Sequence, residues 1–208
     1  MDRSFYDSLW VGDHISFAVP ILDPLLQLAQ AAVVSRRLTL GTSVYLLPLR
    51  HATPVAKQVA TLDHLTEGRL IFGVGVGGEF PKEYEACGVP RNERGARLTE
   101  GIGLLRKFWS GEKVSHTGRF YGNFTDVPMR PPPRQSGGPP IWCAGRSPGA
   151  LRRTGRMADG YLSYVVTPEM YRDALATIET AAHEAGRSLT SFGTGHLLFR
   201  GRDEEDRG

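Results

Sequence analysis

Residues 70–80 read LIFGVGVGGEF, with glycines at 73, 75 and 78. That spacing matches a dinucleotide-binding turn. Such a turn needs a strand before it, a helix opening inside it and an acidic residue about 20 positions on, at the end of the next strand. Leu70–Val74 supplies the strand as a short apolar run. The rest does not fit. After Gly78 the chain continues Glu79-Phe80-Pro81-Lys82-Glu83, and Pro81 suits the start of a new element better than the second turn of a helix. Glu100 stands at about the right separation, but inside a helical pattern. The glycines call for another explanation.

Outward from this stretch, strand-like runs alternate with helical patterns. Strands are expected over 8–12, 38–46, 70–76, 141–144, 160–166 and 192–199. Helices are expected after Asp23-Pro24, from Pro54 to a stop at Gly68, around Leu98 to Trp109, from Pro148 and after Thr167-Pro168. Asp23 and Thr167 have the chemistry of N-caps, and the prolines that follow them preset φ for a first turn. Segment 112–139 interrupts the rhythm with a hairpin expected to turn at Thr117-Gly118 and with the proline-rich run PPPRQSGGPP at 131–140. The alternation resumes at once, so 112–139 reads as an insertion within one domain spanning 1–208. Apolar strands separated by helices imply a parallel sheet covered by helices, either open or closed into a barrel. In both, functional residues gather at the C-terminal ends of the strands.

Composition narrows the function. The 208 residues are 40% hydrophobic and 23% charged, with a net charge of +3. Basic residues are scattered among acids, which argues against a nucleic-acid partner. No apolar run approaches the ~18 residues of a membrane span, and the N-terminus lacks the pattern of a signal peptide. Cys87 and Cys143 share no motif and suggest a reducing, cytoplasmic setting. His64, His116, His183 and His196 show no ligand spacing, so no metal site is expected.

Four stretches together resemble the luciferase-like monooxygenase superfamily of flavin- and deazaflavin-dependent oxidoreductases: SLWVGDH at 8–14, the run from LTLGTSVYLLPLRHATPVAKQ to EYEACGVP at 38–90, RGARLTEGIGLLRKFWSGEKVSHTGRFY at 94–121, and PPIWCAGRSPGALRRTGRMADGYL at 139–162. The resemblance implies a (β/α)8 barrel with an insertion before its fifth strand. Against the family pattern this chain holds the second to seventh strands, so an incomplete barrel is expected. The glycines at the end of LIFGVGVGG would let strand backbone approach a flat isoalloxazine-type ring, which a Cβ would keep away.

The resemblance also nominates residues. His14 becomes the candidate catalytic acid/base, with Asp13 placed to orient its ring; Ala18 stands near a position where some relatives carry tryptophan. Thr42, Ser43 and Val44 fall where several relatives have a non-prolyl cis peptide beside the ring. Val76, Gly77 and Gly78 align with ring-contacting positions, while the extra glycine leaves Glu79 ambiguous between a catalytic acid and a surface residue. Gly145, Arg146 and Ser147 resemble the family's phosphate-binding turn, and amides at a helix start with a guanidinium and a hydroxyl suit an anion. Arg50, His51 and Asp63 read as structural, with Asp63 near enough to Arg69 for an ion pair and His51 able to cap the following helix. Phe120-Tyr121 could line a substrate entrance or pack the insertion.

The implied function is an oxidoreductase that uses coenzyme F420 for hydride transfer to or from a small organic substrate. The alternatives are an FMN-dependent monooxygenase that incorporates oxygen, and a non-catalytic partner subunit or inactive fragment. Dimers are common in the family, so a homodimer is among the assemblies the resemblance allows.

Overall fold

The computed structural model describes residues 6–198. Its strands are β1 (Ser8–Val11), β2 (Thr39–Thr42), β3 (Leu70–Val74), β4 (Val114–Thr117), β5 (Asn123–Val127), β6 (Ile141–Ala144), β7 (Gly160–Tyr164) and β8 (Gly193–Leu197). The helices are α1 (Pro24–Val34), α2 (Ala52–Leu65), α3 (Pro81–Ala86), α4 (Arg94–Trp109), α5 (Pro148–Met157) and α6 (Pro168–Glu184). Six strands form one sheet in the order β1-β2-β3-β6-β7-β8, each neighbour parallel, while β4 and β5 pair antiparallel. The sheet curls into part of a (β/α)8 barrel. Residue 199 of the expected last strand, the first five residues and the charged end at 201–208 lie outside the described residues.

Strand alternation sorts the side chains. Leu40, Leu70, Phe72, Ile141 and Cys143 join the main core with Leu28 of α1, Val59 of α2 and Phe108 of α4. The opposite face looks into the barrel. There Trp10 and Trp142 meet with ring centroids 5.4 Å apart. A Cβ on Gly160 or Gly193 would come within 2.6 and 2.1 Å of the Trp142 ring, so these glycines make room for a floor of two indoles. Helix starts follow the sequence signals. Asp23 accepts from the Leu25 and Leu26 amides and Thr167 from that of Met170, each followed by proline at the first helical position. His51 accepts from the Thr53 amide and opens α2.

Three local expectations change. The second strand ends at Thr42 rather than 46, because the chain turns through Ser43-Val44 into a single bridge between Tyr45 and Val74. The hairpin's return strand is Asn123–Val127, not the residues directly after Gly118. The amides of Arg119, Phe120 and Tyr121 donate to the Glu100 carboxylate of α4, so this stretch cannot join a ladder. Asp63 does not pair with Arg69. Its oxygens accept from the Gln135 amide and side chain at 2.8 and 2.6 Å, holding the proline-rich run, while Arg69 donates to the Leu38 and Ser35 carbonyls. Tyr121 is buried with its hydroxyl on the Arg97 carbonyl and therefore packs the hairpin segment against α4.

Candidate active site

At the C-terminal ends of the parallel strands lies a cleft of about 320 Å³. Gly12, Asp13 and His14 after β1, Ser43, Val44 and Leu46 after β2, Gly75, Val76, Gly77 and Glu79 after β3, Gly145 after β6 and Tyr164 of β7 all face it. The volume falls at the small end of ligand pockets, enough for the ring of a cofactor rather than all of it.

The opening glycines now have a physical account. A Cβ at Gly73 would lie 1.9 Å from the Thr42 carbonyl oxygen, and one at Gly75 would lie 2.5 Å from Val44 Cγ2. The space at these two positions is therefore taken by the neighbouring strand. These glycines let β2 bulge over β3, and the Ser43–Val44 peptide bond in that bulge is cis. Beyond them Gly77 and Gly78 take positive φ as the chain leaves the cleft for α3.

Asp13 and His14 are neighbours in sequence with separate partners. Asp13 is buried, and its carboxylate accepts from Arg50 Nη1 and Nη2 at 2.6 and 2.8 Å and from the Leu46 amide at 2.8 Å. Burial works against the Arg50 charge, but the Asp13 carboxylate outweighs it and holds the guanidinium above its ordinary value. The guanidinium also lies over the Tyr45 ring, 4.2 Å from its centroid. Asp13 thus anchors the β2 bulge and does not orient His14. The residue that does was missed from sequence. Glu83 of α3, with no exposed surface, places both carboxylate oxygens 3.2 Å from His14 Nδ1 and also accepts from the Ile15 amide. The Phe17 ring, next to Ala18 in the chain, stacks on the imidazole at 4.0 Å with planes 13° apart. A glutamate following the glycine run was the one available signal, and 69 residues of separation from His14 concealed its partner.

The remaining nominated residues divide. Ser43 Oγ is buried with no hydrogen-bond partner and lies in the cleft wall with Val44, Val76, Gly77 and Gly145. Thr42 is not in the cleft, because alternation turns it to the helix side with Leu40, where its hydroxyl donates to the Gly73 carbonyl at 2.7 Å. Gly78 sits behind the cleft beside Arg91 and Arg94. Arg146 and Ser147 lie at the rim, Ser147 capping α5 through the Ala150 amide and Arg146 over the Tyr164 ring at 4.8 Å. Glu79 is exposed at the mouth and accepts from the Tyr164 hydroxyl at 2.7 Å. Burial, reinforced by Glu79, raises the Tyr164 phenol above its ordinary value. Among the described residues no His, Cys, Asp and Glu group could hold a metal ion, and no helix is long and apolar enough to cross a membrane.

The model of the luciferase-like monooxygenase family matches residues 1–206. The chain belongs to that family. Within it, the chain is 34% identical to a phthiodiolone/phenolphthiodiolone dimycocerosates ketoreductase of Mycobacterium kansasii, over 96% of this chain and 61% of that protein. It is 30% identical to an F420-dependent glucose-6-phosphate dehydrogenase of Nakamurella multipartita, over 91% of this chain and 57% of that protein. Among solved structures, monooxygenase RslO1 from Streptomyces bottropensis superposes with a TM-score of 0.82 at 27% identity, covering 97% of this chain and 63% of that one. The chain therefore spans about three-fifths of the length of these family members.

Proposed function

We propose that the cleft is the cofactor site of an oxidoreductase that uses the deazaflavin coenzyme F420 for hydride transfer to or from a small organic substrate. One observation carries the reading. His14 and Ser43 line the same cleft, whose other walls are Val44, Gly75, Val76 and Gly77, and the buried Ser43 Oγ has no hydrogen-bond partner. A buried hydroxyl without a partner is costly unless a ligand satisfies it. Small and apolar walls suit the faces of a planar ring, so these residues fit the group. Support for the cofactor class comes from the F420-dependent relative.

Ser43, Val44, Val76 and Gly77 would hold the ring, with Asp13 keeping the bulge in place through Arg50 and Leu46. Gly145, with Arg146 and Ser147 at the start of α5, would take the phosphate outside the cleft, where amide dipoles and a guanidinium favour an anion. When bound, the deazaflavin supplies a ring carbon that gives or takes a hydride. His14 balances that transfer by giving a proton to the substrate oxygen as hydride reaches the adjoining carbon, or by removing it in the reverse direction.

Titration of the purified chain with F420 and FMN in parallel, followed by fluorescence, tests the reading. Saturable binding of F420 is expected; binding of neither cofactor overturns it. A second reading is an FMN-dependent monooxygenase; the likeness to monooxygenase RslO1 supports its reaction class. Preferential FMN binding, with oxygen consumed by the reduced complex, would replace the first reading with this one.

A further inference from the structure

The geometry points to Glu83 as the positioning residue of the site: it fixes the His14 tautomer so that Nδ1 carries the proton and Nε2 presents its lone pair to the cleft. The inference rests on the reading of His14 as the proton-moving group. A carboxylate accepts hydrogen bonds and donates none, and here both oxygens stand 3.2 Å from Nδ1. The other contact to this carboxylate, from the Ile15 amide at 3.2 Å, is also a donor. A neutral imidazole facing this arrangement places its hydrogen on Nδ1, and the second nitrogen is left as the acceptor. Phe17 stacks on one face of the ring, so its plane and its in-plane orientation are both restrained.

The same contact joins two loops. Glu83 belongs to α3, directly after the glycine turn of β3, whereas His14 and Ile15 follow β1. Glu83 touches neither substrate nor cofactor and acts through His14. An imidazole with the opposite tautomer would meet the ligand with a donor, and could not remove a proton without first losing its own.

The test is a tautomer measurement on the full 208-residue chain labelled with ¹⁵N-histidine, without cofactor. Long-range ¹H–¹⁵N spectra are recorded near pH 8.5, above the ordinary histidine pKa of about 6.5. The His14 signals are assigned by their loss in His14→Asn. In the unsubstituted protein His14 should be predominantly protonated at Nδ1. In Glu83→Gln the amide can keep its oxygen on Ile15 and turn its nitrogen to the ring, so the population should move toward Nε2–H. Turnover should fall about 10- to 100-fold, the range for losing such an orienting partner, while the cofactor Kd stays within about twofold. Glu83→Asp, which keeps the charge, should restore part of the Nδ1–H population.

Predominant Nε2–H in the unsubstituted chain overturns the proposal, and does so even if Glu83→Gln fails to fold. An unchanged tautomer in a folded Glu83→Gln overturns it as well. The expected tautomers without binding of either cofactor would leave Glu83's role in place and remove the proposed function, so the two failures are distinguishable.

Discussion

Among the described residues there are two histidine–glutamate pairs of nearly equal length. His14 Nδ1 and Glu83 are 3.2 Å apart, and His116 Nε2 and Glu100 are 3.1 Å apart. Their surroundings separate them. Glu100 accepts from His116 and also from the amides of Arg119, Phe120 and Tyr121, so its oxygens tie the β4–β5 hairpin to α4. A Cβ on Gly118 would meet the same carboxylate at 2.1 Å, which shows how closely the hairpin turn wraps it. His116 is buried against Phe124 within this hairpin. His14, by contrast, forms part of the cleft wall, and one buried carboxylate and one aromatic ring hold it there. Pairing by itself does not separate the two histidines; His14 is the one that lines a cleft a ligand can enter, and the proposed function gives it the proton-moving role for that reason.

The strongest break of this comparison exchanges the two histidines' consequences. His14→Asn keeps a donor for Glu83 but removes Nε2. It should lower turnover by about 10²–10⁴-fold with little change in melting temperature. His116→Ala should do the reverse, with destabilisation of about 1–3 kcal/mol and normal turnover per folded molecule. Deazaflavin absorbance with a panel of ketones and secondary alcohols, beside urea melts, measures both. A drop in turnover for His116→Ala at full folding would erase the distinction.

Next in size is the loss of the Glu100 carboxylate. Glu100→Ala leaves three backbone amides without their acceptor, and urea melts should show a loss of about 2–3 kcal/mol. The titration of the same group gives a pH signature. Desolvation would raise its pKa, but the hydrogen bonds from Phe120, His116, Tyr121 and Arg119 outweigh burial and hold it below the ordinary 4.5. A folded-state value below the unfolded one means that the stabilisation is present above about pH 4.5 and is lost as pH falls through the folded value. Melting temperatures recorded from pH 7 to 3 should therefore drop more steeply below that point in the unsubstituted protein than in Glu100→Gln. Parallel curves would show that another carboxylate governs the acid limb.

The smallest effect is at the cleft rim. Tyr164→Phe removes the contact to exposed Glu79, and stability should change by less than about 0.5 kcal/mol. If Glu79 and Tyr164 only frame the mouth, turnover at saturating substrate also stays within about threefold. A loss as large as that of His14→Asn would move Glu79 from the rim into the chemistry and shift the comparison with it.

The sequence by itself determined the local elements and their order. Apolar runs marked all six strands of the parallel sheet, and proline after Asp23, Ser147 and Thr167 marked three helix starts. These signals are short-range, because strand alternation, capping and preset φ depend on residues within a few positions of one another. The motif resemblance also brought His14, Ser43, Val44, Val76, Gly77 and Gly145 into consideration, and they do meet in one cleft. Tertiary structure decided which neighbour each group answers to. Asp13 turned to Arg50, 37 residues away, and His14 to Glu83, 69 residues away. Thr42 fell on the helix side of its strand, Asp63 took Gln135 in place of Arg69, and Gly73 and Gly75 made room for β2. Each of these outcomes depends on which strands lie side by side and in what register. A one-residue slip would turn every side chain to the opposite face, and no local pattern records that choice.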